Sequence, residues 1–180
     1  MRKLLLVGCL ALMAAASQAQ NAWGFAAPLI DGTQEVPPNG SNAYGSAAFN
    51  VHGFLWAISG SVTITGLSVQ EIIGMHIHYG PVGVNGPIIY DILANTASTN
   101  QSGNVSNFFF TGVLQGDGFM TREEKLAAMI AGNTYINVHT PNFPGGEIRG
   151  QVECVVPEPA TVTSVGFGLG ALLLLRRRKH

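Results

Sequence analysis

The feature that most limits what this chain can fold into is its punctuation. Between about residues 20 and 156 the apolar runs are short, and Gly, Asn, Ser and Thr break them at close intervals. That pattern suits strands joined by turns and leaves little room for long helices. In "FLWAISGSVTITGL", Val62 and Ile64 alternate with Ser61, Thr63 and Thr65, the period of a half-buried strand. "AYGSAAFNV" reads as the strand before it, with His52-Gly53 as the turn between them. Further strands are expected over Ile72 to His78, Pro87 to Leu93, Phe108 to Leu114, Tyr135 to His139 and Glu147 to Glu153. The polar stretch "NTASTNQSGNVSN" reads as the most mobile loop, and "QEVPPNGSNAYG" and "YGPVGVNGPI" read as loops from their Pro, Gly and Asn content. One helix is expected at about 121–131. Thr121 and Glu124 have capping-box spacing, Leu126, Met129 and Ile130 repeat at helical spacing, and Gly132 can end it.

The ends of the chain read differently. Arg2 and Lys3 precede an apolar run from Leu4 to Ala16, and Ser17-Gln18-Ala19 offers small residues for cleavage, so residues 1–19 read as a signal peptide. Cys9 in "LVGC" offers a lipoprotein-type box as the alternative. At the other end, residues 156–180 hold Pro157-Glu158-Pro159, an apolar segment over 162–175 and a basic tail at 176–179. The segment is short against the ~20 residues of a usual span, and the cationic tail would stay on the cytoplasmic side. The order of these three elements resembles the PEP-CTERM sorting signal. That resemblance implies a Gram-negative bacterium, recognition by an exosortase-type processing enzyme, and a setting of biofilm and exopolysaccharide. Export to the cell envelope or exterior is therefore expected, with a transmembrane segment before processing.

What remains, residues 20–155, has the length of one domain. Its basic residues are Arg122, Lys125 and Arg149. Its acidic ones are Asp31, Glu35, Glu71, Asp91, Asp117, Glu123, Glu124, Glu147 and Glu153, a formal charge of -6. Such a surface repels phosphate backbones, so nucleic acid is not an expected partner. Cys154 is the one cysteine beyond the signal peptide, which excludes an internal disulfide and a cysteine metal cluster in the mature domain.

Strand parity then groups the polar side chains. With Met75, Ile77, Ile136, Val138, Ile148 and Val152 turned to the core, His76, His78, Tyr135, Asn137, His139, Glu147, Arg149 and Gln151 share the opposite face. Three chemistries fit that set. His76, His78 and His139 form a usable metal set for copper or zinc. A histidine working with Glu147 could do acid–base chemistry, although no nucleophile or cleft is legible. The third is structural: the histidines bond loop carbonyls while Glu147 and Arg149 pair. The His-x-His strand is similar to the copper-ligand strand of Cu/Zn superoxide dismutase, an analogy without that enzyme's zinc loop or disulfide.

"DGTQEVPPNGSNAYGSAAF", "HIHYGPVGVNGPII" and "AGNTYINVHTPNFPGGEIRGQV" together resemble the CHRD domain found in chordin and in bacterial exported proteins. The resemblance runs from about Phe25 to Glu153. It implies an all-β, immunoglobulin-like antiparallel sandwich or barrel, and no established activity. The motif covers residues 34–38, His76, His78, Gly80, residues 85–87, 137–140 and 144–151. The short hairpin at His52-Gly53 departs from relatives that carry a longer acidic turn. The expectation is a surface or matrix-associated, non-enzymatic binding module. Its partners would be signal peptidase, an exosortase, and extracellular polysaccharide or surface proteins. A histidine-based copper or zinc protein, redox active if copper, is the competing expectation; an extracellular hydrolase is the third.

Overall fold

The computed structural model describes residues 22–155. The signal peptide with Cys9, and the Pro-Glu-Pro motif with its apolar and basic segments, lie outside the described residues. Among the described residues the fold is all-β with one α-helix and two short 3-10 turns. Its strands are β1 (Ala22–Asp31), β2 (Tyr44–His52), β3 (Ala57–Thr65), β4 (Gly74–Tyr79), β5 (Ile88–Asp91), β6 (Thr96–Ser102), β7 (Val105–Val113), β8 (Thr134–His139), β9 (Ile148–Gln151) and β10 (Glu153–Val155). They form one antiparallel sheet in the order β5-β4-β8-β9-β1-β2-β3-β7-β6, with β10 also paired to β1. β9 and β10 follow each other along one edge of β1, at Asp31↔Arg149 and then Phe25↔Cys154. A single curled sheet thus supplies both faces of the core.

The curl starts in β1. Its register with β2 shifts between Ala27 and Ile30, so Pro28 and Leu29 bulge out of the ladder. A bulge bends a strand and increases its twist, and it is a site where proline's missing N–H does no harm. The inward faces then meet: Phe25 stacks on Phe49 with ring centroids 5.2 Å apart, and Phe110 packs against Phe49 at a tilt, 6.2 Å away. Ile30, Val62, Ile64, Met75, Ile77, Ile136, Val138 and Ile148 fill the rest. The parity assigned to β3, β4, β8 and β9 therefore holds.

The helix, α1 (Arg122–Ile130), begins where the capping box placed it. Thr121 Oγ1 accepts from the Glu124 N–H, and the Glu124 carboxylate accepts from the Thr121 N–H. The helix ends at Ile130 with Ala131 as its C-cap, and Gly132 follows in the left-handed region at φ +70°. Its Lys125 is buried, donating to the Ile89 carbonyl and to Asp117.

Three expectations need correction. "NTASTNQSGNVSN" is not a loop: it is β6, a tight turn and the start of β7. β6 is an edge strand exposed along nearly its whole length, so it needs no alternation, and its polar side chains guard an open edge. Phe54, Leu55 and Trp56 do not begin β3; they form the tip of the β2–β3 hairpin. Glu147 does not pair with Arg149. Its carboxylate accepts from the Ser41 and Thr140 hydroxyls instead.

Candidate metal centre

The registers His76↔Asn137, His78↔Tyr135, Gly74↔His139 and Asn137↔Arg149 place β4, β8 and β9 side by side, as parity and connection length suggested. The polar face they share is not a solvated surface. The loops 32–43 and 80–87 lie over it, so Tyr135, Asn137 and Arg149 are almost fully buried.

Arg149, 1% exposed, is the fixed point. Its guanidinium donates to Asn85 Oδ1 and to the carbonyls of Pro81 and Val84, at 3.0–3.1 Å. It also lies 3.5 Å from the Tyr135 ring centroid, and that ring stacks on His78 at 4.9 Å. Gln151 joins the same layer, donating to the carbonyls of Gly80 and Gly132. The loop "YGPVGVNGPI" is thereby clamped onto the sheet, with its Gly86 carbonyl aimed at His78.

The three histidines converge. One ring nitrogen of each of His76, His78 and His139 lies within 4.8 Å of the other two. His78 Nδ1 contacts the Gly86 carbonyl at 2.8 Å, and His139 Nδ1 contacts that of Pro144 at 3.1 Å. A carbonyl only accepts, so both Nδ1 atoms carry the proton and both Nε2 atoms present lone pairs. His76 turns its Nε2 toward Asp91 Oδ2 at 3.8 Å, a carboxylate that favours the proton on that side. The remaining nitrogens, His76 Nδ1, His78 Nε2 and His139 Nε2, are buried without a hydrogen-bond partner among the described residues. Leaving a buried polar atom unpaired costs about 1–3 kcal/mol. Each ring thus keeps one unpartnered nitrogen, and the three rings lie close enough together to serve as a donor set for a cation.

The electrostatics agree. Burial holds all three imidazoles below the usual histidine range, with His78 brought down to about 4. Mutual repulsion adds to this at His76, where Asp91 works the other way. The rings are neutral at pH 7 and ready to ligate. Gly74 underlies the set: a Cβ there would stand 2.9 Å from His76 Cε1 and 3.3 Å from His139 Cδ2, so a larger residue would push the ligands apart.

Imidazole nitrogens about 2.0–2.1 Å from a tetrahedral ion lie roughly 3.4 Å from one another. Drawing the three nitrogens in from their 4.8 Å limit takes less than about 1 Å of movement each. The loop contacts are compatible with ligation: His78 and His139 each bond a loop carbonyl with Nδ1, which fixes the direction of Nε2. In metal sites a hydrogen bond to the far ring nitrogen fixes a histidine's tautomer and orientation in this way.

The sequence rules missed two members of this layer. Asp91 faces His76 from β5, a strand too short for parity to be read. Glu35, buried behind the loop "QEVPP", receives a long contact from Asn137 Nδ2, and its carboxyl is raised above the usual range by burial. Gly146 packs against both at φ +133°, where a Cβ would stand 2.5 Å from Asn137 Oδ1. Glu147 is held by two hydroxyls in a structural role, which gives the acid–base reading no support.

The His78 environment carries a stability consequence. Its folded pKa lies below the unfolded value of about 6.5, so between about pH 6.5 and 4 the unfolded chain binds more protons. Stability from this group is full above that window and is lost as the pH falls through it, by on the order of 3 kcal/mol. Thermal unfolding of metal-free protein from pH 7 to 4 should show a steeper decline in the wild type than in His78→Gln. Parallel declines would contradict the neutral, buried assignment.

Among families of known proteins, the one described as "CHRD domain" matches residues 25–152. No curated protein matches the chain. The matched range takes in every strand that builds the histidine site and the two loops that cover it.

Proposed function

The chain belongs to the CHRD domain family, and on that premise we propose that it is an exported, non-enzymatic binding module whose bound species is a copper or zinc ion held by His76, His78 and His139. The observation that carries this reading is the convergence of three imidazoles, each with one buried nitrogen that has no partner among the described residues and a contact on the opposite side of its ring. Nitrogen donors without thiolate suit copper and zinc, and exclude little else by affinity alone. Three protein ligands leave a further position for water or another small ligand. The test is metal content of the purified chain after incubation with copper or zinc and exhaustive dialysis. One ion per chain, lost in the His76→Ala/His78→Ala variant, is the expected result; no retained ion in either protein would contradict it.

Export belongs to the same proposal. The apolar run after Arg2 and Lys3 supports cleavage after Ala19, and Pro157-Glu158-Pro159 before the apolar and basic segments supports sorting by an exosortase-type enzyme. The mature module would then act in the cell envelope or outside the cell, among polysaccharide and surface proteins. A strain lacking its exosortase should accumulate the unprocessed chain. Normal processing in that strain would overturn the sorting assignment.

A further inference from the structure

Beyond the histidine site, the strand registers bring Ala22 and Val155, the first and last described residues, to the same end of the fold. Ala22 pairs with His52, and Gly24 with Val155, so β1 starts and β10 ends beside the tip of the β2–β3 hairpin. The tip itself is Gly53-Phe54-Leu55-Trp56. Phe54 is 83% exposed and Leu55 64% exposed. Trp56 is held at φ 53°, a left-handed backbone that a bulky residue adopts only at a cost of about 1–2 kcal/mol. Its carbonyl accepts from the Leu114 N–H, and the Arg122 guanidinium covers its ring at 4.7 Å. The loop joining those two residues adds Phe119, 60% exposed. The hairpin is thus anchored at Trp56 so that Phe54 and Leu55 project from the end of the fold.

The histidine site lies toward the other end. Asp31 pairs with Arg149, β8 runs from Tyr135 opposite Gln151 to Val138 opposite Ile148, and His139 follows beside Gly74. Between the two ends runs a ten-residue strand, about 30 Å long.

We propose that the hairpin tip seats on the lipid bilayer into which the C-terminal apolar segment inserts, with Phe54 and Leu55 entering the interface and the histidine site turned away from it. This rests on the reading of residues 162–175 as a membrane segment. Six residues separate Val155 from Val162, so seven Cα–Cα steps make a tether of at most about 25 Å. A fold held that close must present one end to the membrane, and the registers make it the end bearing the tip. Aromatic residues with a polar anchor suit the membrane interface, where ring and headgroup meet. The contact is apolar rather than electrostatic, because the neighbouring charges are used locally: Arg122 with Glu123, and Lys125 with Asp117. Seated this way, the fold would hold Pro157-Glu158-Pro159 near headgroup level, within reach of a membrane-embedded processing enzyme.

The test uses the full chain with Trp23→Phe, so that Trp56 is the only indole, reconstituted into phosphatidylethanolamine and phosphatidylglycerol vesicles with brominated acyl chains. The expected result is co-flotation with the vesicles and quenching of Trp56, the quenching lost in Phe54→Ser/Leu55→Ser and unchanged by salt. Both replaced side chains are exposed, so the variant should melt as the parent does. Failure to co-float would overturn the membrane reading of the C-terminal segment, and this proposal with it. Co-flotation without bromine quenching would overturn the tip proposal alone. In that case, shielding of Trp56 from an aqueous quencher would assign the tip to a second copy if it depends on protein concentration, and to the chain's own apolar segment if it does not.

Discussion

Arg149→Ala is expected to destabilise the protein by about 3–5 kcal/mol, the usual penalty for breaking a buried charged network. The guanidinium satisfies three acceptors at once: Asn85 Oδ1 and the carbonyls of Pro81 and Val84. Truncation leaves all three facing a void, removes the cation from the Tyr135 ring and deprives buried Glu35 of a positive charge that favours its carboxylate. For a domain of this size the melting temperature should fall by roughly 10 °C or more. Arg149→Lys should recover less than half of that loss, because a single ammonium cannot reproduce a planar fork lying flat on an aromatic ring. The damage should also reach the histidines. The loop that Arg149 clamps carries the Gly86 carbonyl that fixes the His78 ring, so metal retention should weaken in the same variant. A melting temperature within about 2 °C of the wild type would show that the loop is held by something else.

The second large effect is stabilisation by the ion itself. A ligand that binds the folded chain alone, present at about a thousand times its dissociation constant, stabilises by roughly 4 kcal/mol. That should raise the melting temperature by about 10–15 °C on adding copper or zinc. The gain should vanish in His76→Ala/His78→Ala. In the wild type it should shrink as the pH is lowered, because protons compete for the same lone pairs. The metal-free variant should be no less stable than metal-free wild type by more than its lost packing, since it removes two unpaired buried nitrogens along with the rings. An equal rise in both proteins would locate the ion elsewhere. No rise in either would leave the histidines as anchors of the loops at Gly86 and Pro144.

Much of this site was legible because β4 and β8 keep strict alternation. Met75 and Ile77 go inward and therefore His76 and His78 go outward; Ile136 and Val138 place His139 by the same rule. The short connection from Thr140 to Gly146 made β8 and β9 neighbours, which brought Arg149 into the group. Sequence parity gives a face but not what covers it. That is why Arg149 looked like the surface partner of Glu147, when loops far away in sequence bury both and give each different partners. Asp91 sits at the end of a four-residue strand, too short to show a period. β6 has no alternation to find, because an exposed edge strand has no buried face to encode. β1, the strand that joins the two halves of the sheet, is interrupted by Pro28 at its bulge, and only tertiary pairing on both sides identifies it. The helix was the easiest element to place, since its capping box is written in local sequence.

The most direct test of the metal centre is X-ray absorption at the copper or zinc edge of the loaded, dialysed chain, read against the His139→Ala variant. The account predicts a first shell with three imidazole nitrogens at about 2.0–2.1 Å and no sulfur, falling to two or losing the ion in the variant. A shell dominated by carboxylate or water oxygen, unchanged when His139 is removed, would contradict it.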